Sequence, residues 1–352
     1  MKHSEPPENG DLFSRLGQYD TIIDVRSPSE FAEDHIPGAL NCPVLDDAER
    51  ARVGTIYKQQ SPFEAKKIGA ALVAKNIAAH IEARFLDQPR NWKPLIYCWR
   101  GGNRSGSMTH ILSKIGWHAE QLAGGYKTYR QQVNAALAEV PKHFRYAVIC
   151  GTTGSGKSRL LQTLAGEGAQ VLDLEQLAAH RGSVLGNLPS EPQPSQKMFE
   201  SRILQTLRCF DRNKVVYVES ESKKVGNLRV PEALMETMRA SPCIALQLSR
   251  PNRVRLLMED YDHFVREPAF LNEKLAILTQ LHGKQKITHW QEQALAGQMD
   301  ALVEALLVEH YDPLYLRSID RNFTQFPQAR ELTLDGIAET DFIAAAKSLM
   351  AG

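Results

Sequence analysis

The residue types best suited to chemistry lie in Cys98-Trp99-Arg100-Gly101-Gly102-Asn103-Arg104-Ser105. An apolar run, Pro94-Leu95-Ile96-Tyr97, precedes this stretch with the length of a short buried strand, and residues 108–115 follow with helical spacing. A loop between a strand end and a helix start turns its backbone N–H groups toward one point and favours an anion there. The same field favours thiolate over thiol, so Cys98 is expected to have a lowered pKa and to act as a nucleophile. Arg100 and Arg104 add positive charge, and with Cys98 they form the candidate catalytic set. Two glycines and two arginines beside an inert core cysteine would have no packing reason.

A second constellation is Gly151-Thr152-Thr153-Gly154-Ser155-Gly156-Lys157-Ser158. It follows the apolar run Tyr146-Ala147-Val148-Ile149-Cys150 and leads into the helical Arg159-Leu160-Leu161-Gln162-Thr163-Leu164. This is G-x4-G-K-S in the context the pattern needs, strand before and helix after. The glycines let backbone N–H groups wrap a phosphate or diphosphate. Lys157 would meet its outer oxygens, and the Ser158 hydroxyl could ligate Mg²⁺.

Further candidates for substrate contact surround this loop. Asp173 and Glu175 close the next apolar run, where they could bind a hydroxyl or a metal-bound water, or simply cap a helix. Arg181 lies in the polar loop His180-Arg181-Gly182-Ser183. Glu219 ends Val215-Val216-Tyr217-Val218, an acidic strand end with Glu and no Asp, which argues against ordinary nucleotide hydrolysis. Arg250 and Arg253, with Arg255, cluster after residues 244–248. They could cover a diphosphate or touch a nucleic-acid backbone, the alternative being helix-surface charge. Tyr126, Lys127 and Arg130, after Gly124-Gly125, are candidates for contacts near Cys98.

The elements that must position these residues read as two α/β units. Residues 21–26, 40–44 and 94–97 are strand-like, with a helix start at Ser27-Pro28-Ser29-Glu30. Strand, helix, strand and a loop beyond a strand end imply a parallel sheet with its ligand at the carboxyl edge. Residues 139–143 read as a linker, giving domains 1–138 and 139–352. The second domain continues with strands near 146–150, 170–174, 215–219, 244–248 and 331–334. Residues 186–196, rich in Pro, Ser and Gln, read as a lid or crossover loop. From residue 256 the pattern turns helical, with amphipathic stretches at 271–281 and 294–307 joined by Gly283-Lys284-Gln285-Lys286.

Composition bounds the function classes. The chain has 352 residues, more than one ordinary core holds. Lys+Arg 42 against Asp+Glu 41 leaves no bulk charge to announce a nucleic-acid partner, so such a partner needs a local basic patch. Five cysteines without a C-x-x-C pair argue against a zinc site. Residues 1–10 are polar, and no apolar run approaches the ~20 residues of a bilayer span. The expectation is a reducing, cytoplasmic protein with no membrane contact.

Asp24-Val25-Arg26 with Glu30-Phe31, then His35-Ile36-Pro37-Gly38-Ala39, then the Cys98 loop resembles a rhodanese domain over about residues 10–138. That resemblance implies a persulfide-type role for the cysteine. The spacing from Cys98 to Arg104 is C-x5-R, one residue wider than the usual sulfurtransferase loop. It resembles the phosphatase-like branch, whose loop cradles a tetrahedral oxyanion.

A rhodanese-like parallel-sheet domain followed by a P-loop NTPase-like α/β domain with a helical C-terminal part resembles the bacterial tRNA 2-selenouridine synthase family. The resemblance implies a tRNA partner carrying 2-thiouridine at the wobble position. It also implies two co-substrates, selenophosphate from a separate supplier and geranyl diphosphate, with sulfur replaced by selenium after S-geranylation. Two other readings fit the same motifs. One is a P-loop small-molecule kinase with a regulatory rhodanese-like domain, and the other is a Cys-dependent phosphatase–kinase fusion.

Overall fold

The computed structural model describes residues 12–183, 186 and 191–351. Of the expected lid at 186–196, residues 187–190 lie outside the described residues. The chain divides into two compact units. The first runs to Leu137 and also takes in Pro194–Gln205, and the second comprises Ala138–Gln193 and the chain from Thr206 onward.

The first unit is built on a four-stranded parallel sheet. Its strands are β1 (Thr21–Asp24), β2 (Leu40–Asn41), β3 (Pro94–Tyr97) and β4 (Glu120–Gln121), in the order β2-β1-β3-β4. The apolar residues of β1 and β3 are covered by helices, which is why these strands read as continuous apolar runs. Ile23, Ile77, Phe85, Trp92, Ile96, Met108 and Leu112 form the core. The insert between β2 and β3 folds as two helices, Asp47–Gln59 and Pro62–His80. Asp46 and Ser61 accept hydrogen bonds from the N–H groups that each helix start leaves unpaired.

The second unit carries a five-stranded parallel sheet. Its strands are β5 (Arg145–Cys150), β6 (Gln170–Leu172), β7 (Val215–Glu219), β10 (Cys243–Leu248) and β11 (Arg330–Leu334), in the order β11-β10-β5-β7-β6. A short antiparallel hairpin, β8 (Lys224–Val225) with β9 (Leu228–Arg229), follows β7. The loop at 151–158 thus leaves the central strand. The helix after it, Lys157–Gly166, buries Leu160, Leu161 and Leu164 against Phe342, Ala345, Ala346 and Leu349 of the final helix, Glu339–Ala351.

The helical part between β10 and β11 has its own core of Phe264, Leu271, Leu275, Trp290, Leu302 and Leu306. The sequence expectation of a linking segment at 283–286 needs correction. Gly283, at φ +82°, makes the turn alone, and Lys284 opens a 12-residue helix, Lys284–Leu295, that buries Ile287 and Trp290. Among the described residues no helix is long and apolar enough to cross a membrane.

Candidate active sites

The first site lies at the carboxyl end of β3. Cys98 is buried, and the Ser105 backbone N–H is one of four donors that converge on its sulfur. The Gly102 N–H approaches to 3.3 Å and the Ser105 hydroxyl to 3.1 Å, with the Arg100 N–H as the fourth. Burial alone would raise the Cys98 pKa, but the Ser105 hydroxyl and these backbone donors outweigh it and hold the thiol below its ordinary value. Ser105 sits in the first turn of the helix Asn103–Ile115, so its hydroxyl points back over the loop. It is held there by Gln121 of β4, whose side-chain amide donates to Ser105 Oγ at 2.8 Å and to the Gly102 carbonyl at 3.0 Å.

The loop is closed from below by Gly125, at φ +59°. A Cβ there would collide with the Cys98 carbonyl, which accepts from the Tyr126 N–H at 2.9 Å. Of the expected arginines, Arg100 has an exposed side chain and is free to meet an incoming anion. Arg104 is instead turned onto Glu30, with Nη1 at 2.7 Å from the carboxylate, and Arg50 reaches the same carboxylate at 3.1 Å. Tyr126 is buried and donates to Asp34 at 2.7 Å, while its ring lies under Trp99 with centroids 5.2 Å apart. Arg130 pairs with Glu200 and donates to the Lys197 carbonyl at 3.0 Å, so it ties down the returning segment 194–205. Asp24 and Arg26 form a buried pair at 2.6 Å that supports the sheet end.

The second site is a cleft of about 1020 Å³ in the second unit, lined by Thr153 through Ser158 together with Asp173, Glu175, Arg181 and Glu221. Gly154 (φ +75°) and Gly156 (φ +91°) give the loop its curvature. Its groups have partners within the protein. Lys157 Nζ donates to the Gly151 carbonyl at 2.6 Å, and Ser158 Oγ donates to Glu175 at 2.9 Å. The Gly151 N–H donates to the Tyr315 hydroxyl at 2.6 Å.

The acidic residues converge beside Lys157. Glu219 is buried, and one of its oxygens accepts from the Glu175 N–H at 2.8 Å while the other has no partner among the described residues. Burial, followed by the charge of Glu175, pushes the Glu221 carboxyl up to about 8. Burial likewise raises Asp173, Glu175 and Glu219. Asp173 also caps the next short helix through the Gln176 N–H at 2.7 Å. Among the described residues no group of three or more His, Cys, Asp or Glu is arranged to hold a metal ion.

The expected arginines separate. Arg181 lines the cleft, with its guanidinium 4.7 Å from the Tyr261 ring centroid. Arg253 is buried beneath the loop, donating to the Thr153 carbonyl at 2.7 Å and to Asp312 at 2.6 Å. Arg250 stays on the surface, 3.7 Å from Glu304. Gln121, Glu30, Asp312 and Tyr315 carry no sequence signal for these contacts, because each reaches its site only through strand pairing or helix packing. Ser105 had one, as the residue directly after Arg104 at the helix start.

Comparisons with known proteins agree with this architecture. A family model described as the tRNA 2-selenouridine synthase AAA domain matches residues 144–331, and one described as a rhodanese-like domain matches residues 9–132. A tRNA 2-selenouridine synthase of Bdellovibrio bacteriovorus is 31% identical over 91% of this chain and 94% of its own length. One from Aeromonas salmonicida is 32% identical over 90% of this chain and 93% of its own. One from Nitrosomonas europaea is 38% identical over 68% of this chain and 63% of its own. With a buried, hydrogen-bonded cysteine loop in one unit, a Gly-rich strand-to-helix loop in the other and matches running through both, the chain belongs to the tRNA 2-selenouridine synthase family.

Proposed function

We propose that the protein modifies the wobble uridine of tRNA, converting 2-thiouridine to 2-selenouridine with selenophosphate, by way of S-geranylation from geranyl diphosphate. The observation that carries this reading is the pairing of a stabilised thiolate at Cys98 with a phosphate loop facing a large cleft. In the alkylation step the thiocarbonyl sulfur attacks C1 of the geranyl group, the C–O bond breaks, and diphosphate leaves. Residues 151–158 hold that leaving group, with Lys157 swinging from the Gly151 carbonyl to its oxygens. Where Mg²⁺ accompanies the diphosphate, Ser158 Oγ is the side chain that would ligate it.

Alkylation turns the sulfur into a better leaving group: the selenium of selenophosphate attacks C2 of the base, the C–S bond breaks and geranylthiol leaves. The Cys98 loop receives the tetrahedral selenophosphate on its N–H groups and on Arg100. Cys98 serves the selenium step as nucleophile: its thiolate attacks the phosphorus still bound to selenium, the P–Se bond breaks to leave selenium on C2, and water hydrolyses the phosphocysteine to free thiol and phosphate. A reducing, cytoplasmic setting keeps that thiolate available.

The test is to incubate the protein with 2-thiouridine-containing tRNA and geranyl diphosphate, add selenophosphate, then digest the tRNA and weigh the nucleosides. A geranyl mass gain followed by its replacement with selenium is expected. No mass gain on a competent tRNA, with nucleotide turnover in its place, would favour a kinase instead.

A further inference from the structure

The cleft that holds the phosphate loop has two unlike walls. One carries Lys157, Ser158 and the acidic residues. The other is aliphatic, with Ile277 60% exposed, Leu281 60% exposed and Leu314 44% exposed, and with Leu278 behind them. Single exposed leucines are common, but three large aliphatic side chains lining one cleft form a patch that water solvates poorly. The patch is continuous with the anion site. Leu257 also lines the cleft and abuts the phosphate loop, where a Cβ on Gly154 would come 2.9 Å from its Cδ1. A second, smaller cavity of about 60 Å³, lined by Phe264, Leu271 and Met299, shares Thr153, Leu257 and Tyr311 with the cleft and extends its apolar side inward. Gln280, Ser318, His310 and Tyr311 also line the larger cleft.

We infer that Ile277, Leu281 and Leu314, with Leu257 at the inner end, form a subsite for the hydrocarbon part of a diphosphate ester whose head group sits on residues 151–158. This rests on the reading that the loop holds an alkyl diphosphate. It adds which residues hold the chain. The head group supplies the charge that the loop recognises, and the chain gains by removing apolar surface from water on both partners.

Calorimetry on the intact protein tests this with inorganic pyrophosphate, dimethylallyl diphosphate, geranyl diphosphate and ATP. Geranyl diphosphate is expected to bind more tightly than dimethylallyl diphosphate, and both more tightly than pyrophosphate. An Ile277→Ser/Leu281→Ser protein should lose roughly tenfold in affinity for geranyl diphosphate and much less for pyrophosphate. Both positions are exposed, so folding is not at stake, and circular dichroism checks it. Leu281→Met should keep the wild-type preference. Geranyl diphosphate binding and tRNA alkylation that survive the double substitution unchanged would overturn the subsite alone. ATP binding with no affinity for geranyl diphosphate would overturn the subsite and the alkyl-diphosphate reading together.

Discussion

The Cys98 thiol is held below its ordinary pKa by partners one and two steps away. The Ser105 hydroxyl donates to the sulfur, and the Gln121 amide donates to that hydroxyl's oxygen and so holds it over the loop. Ser105→Ala should therefore raise the Cys98 pKa, and Gln121→Ala should raise it by less. The pH profile of iodoacetamide alkylation reads this directly, with the rise in rate moving to higher pH in each variant. An unmoved profile would show that backbone donors suffice. Glu221 makes an opposite case. The folded protein keeps its proton up to about pH 8, while an unfolded glutamate releases it near ~4.3. The folded state therefore binds more protons across that window, and stability is full below it and falls as pH rises through it. Glu221→Gln should flatten that fall and raise Tm by about 2–4 °C at pH 8, as thermal melts across pH 5 to 8 would show. The cysteine was legible in the sequence because its type and loop carry a mechanism. The raised carboxyl was not, since burial and a neighbour 46 positions away create it.

At the scale of elements, the phosphate loop is stapled as well as curved. Arg253 joins the Thr153 carbonyl to Asp312 at the start of the helix Asp312–Asn322. Arg253→Ala leaves Asp312 without its partner and the loop without its brace. It should cost about 3 kcal/mol and weaken diphosphate binding, measured by denaturant unfolding and calorimetry. Arg250→Ala, on a surface pair, should change stability by less than about 0.5 kcal/mol. The two arginines stand three residues apart in an identical charge pattern. A helix sets residues three apart on nearly the same face, so it is the packing of Thr153 and Asp312 against Arg253, and not helical phase, that buries one and leaves the other in solvent. Gly125 belongs to the same scale. Gly125→Ala should distort the Cys98 loop through both its φ and its collision with the Cys98 carbonyl, lowering thiolate reactivity at every pH rather than shifting the profile.

For the whole molecule, two sites in two units imply separable defects. Lys157→Ala should abolish the geranyl mass gain, by at least about tenfold in rate if its charge meets the leaving diphosphate. Cys98→Ser should keep that gain and lose selenium incorporation. Nucleoside mass spectrometry on the same tRNA distinguishes the two, and a shared defect would argue that one site does both steps.

The sequence by itself determined the two loops, their strands and helices, and the parallel sheets around them. Each of those rests on local spacing, in an apolar run, a glycine pattern or a helix start. Tertiary structure decided which charges are tools and which are braces. Arg104 is turned onto Glu30, Arg253 is sealed under the loop at 151–158, Arg181 lines the cleft while donating to the Asp260 carbonyl, and Arg100 is left exposed. It also drew Pro194–Gln205 into the first unit and set Ile277, Leu281 and Leu314 along one cleft. Those choices depend on contacts between residues far apart in the chain, which periodicity cannot report.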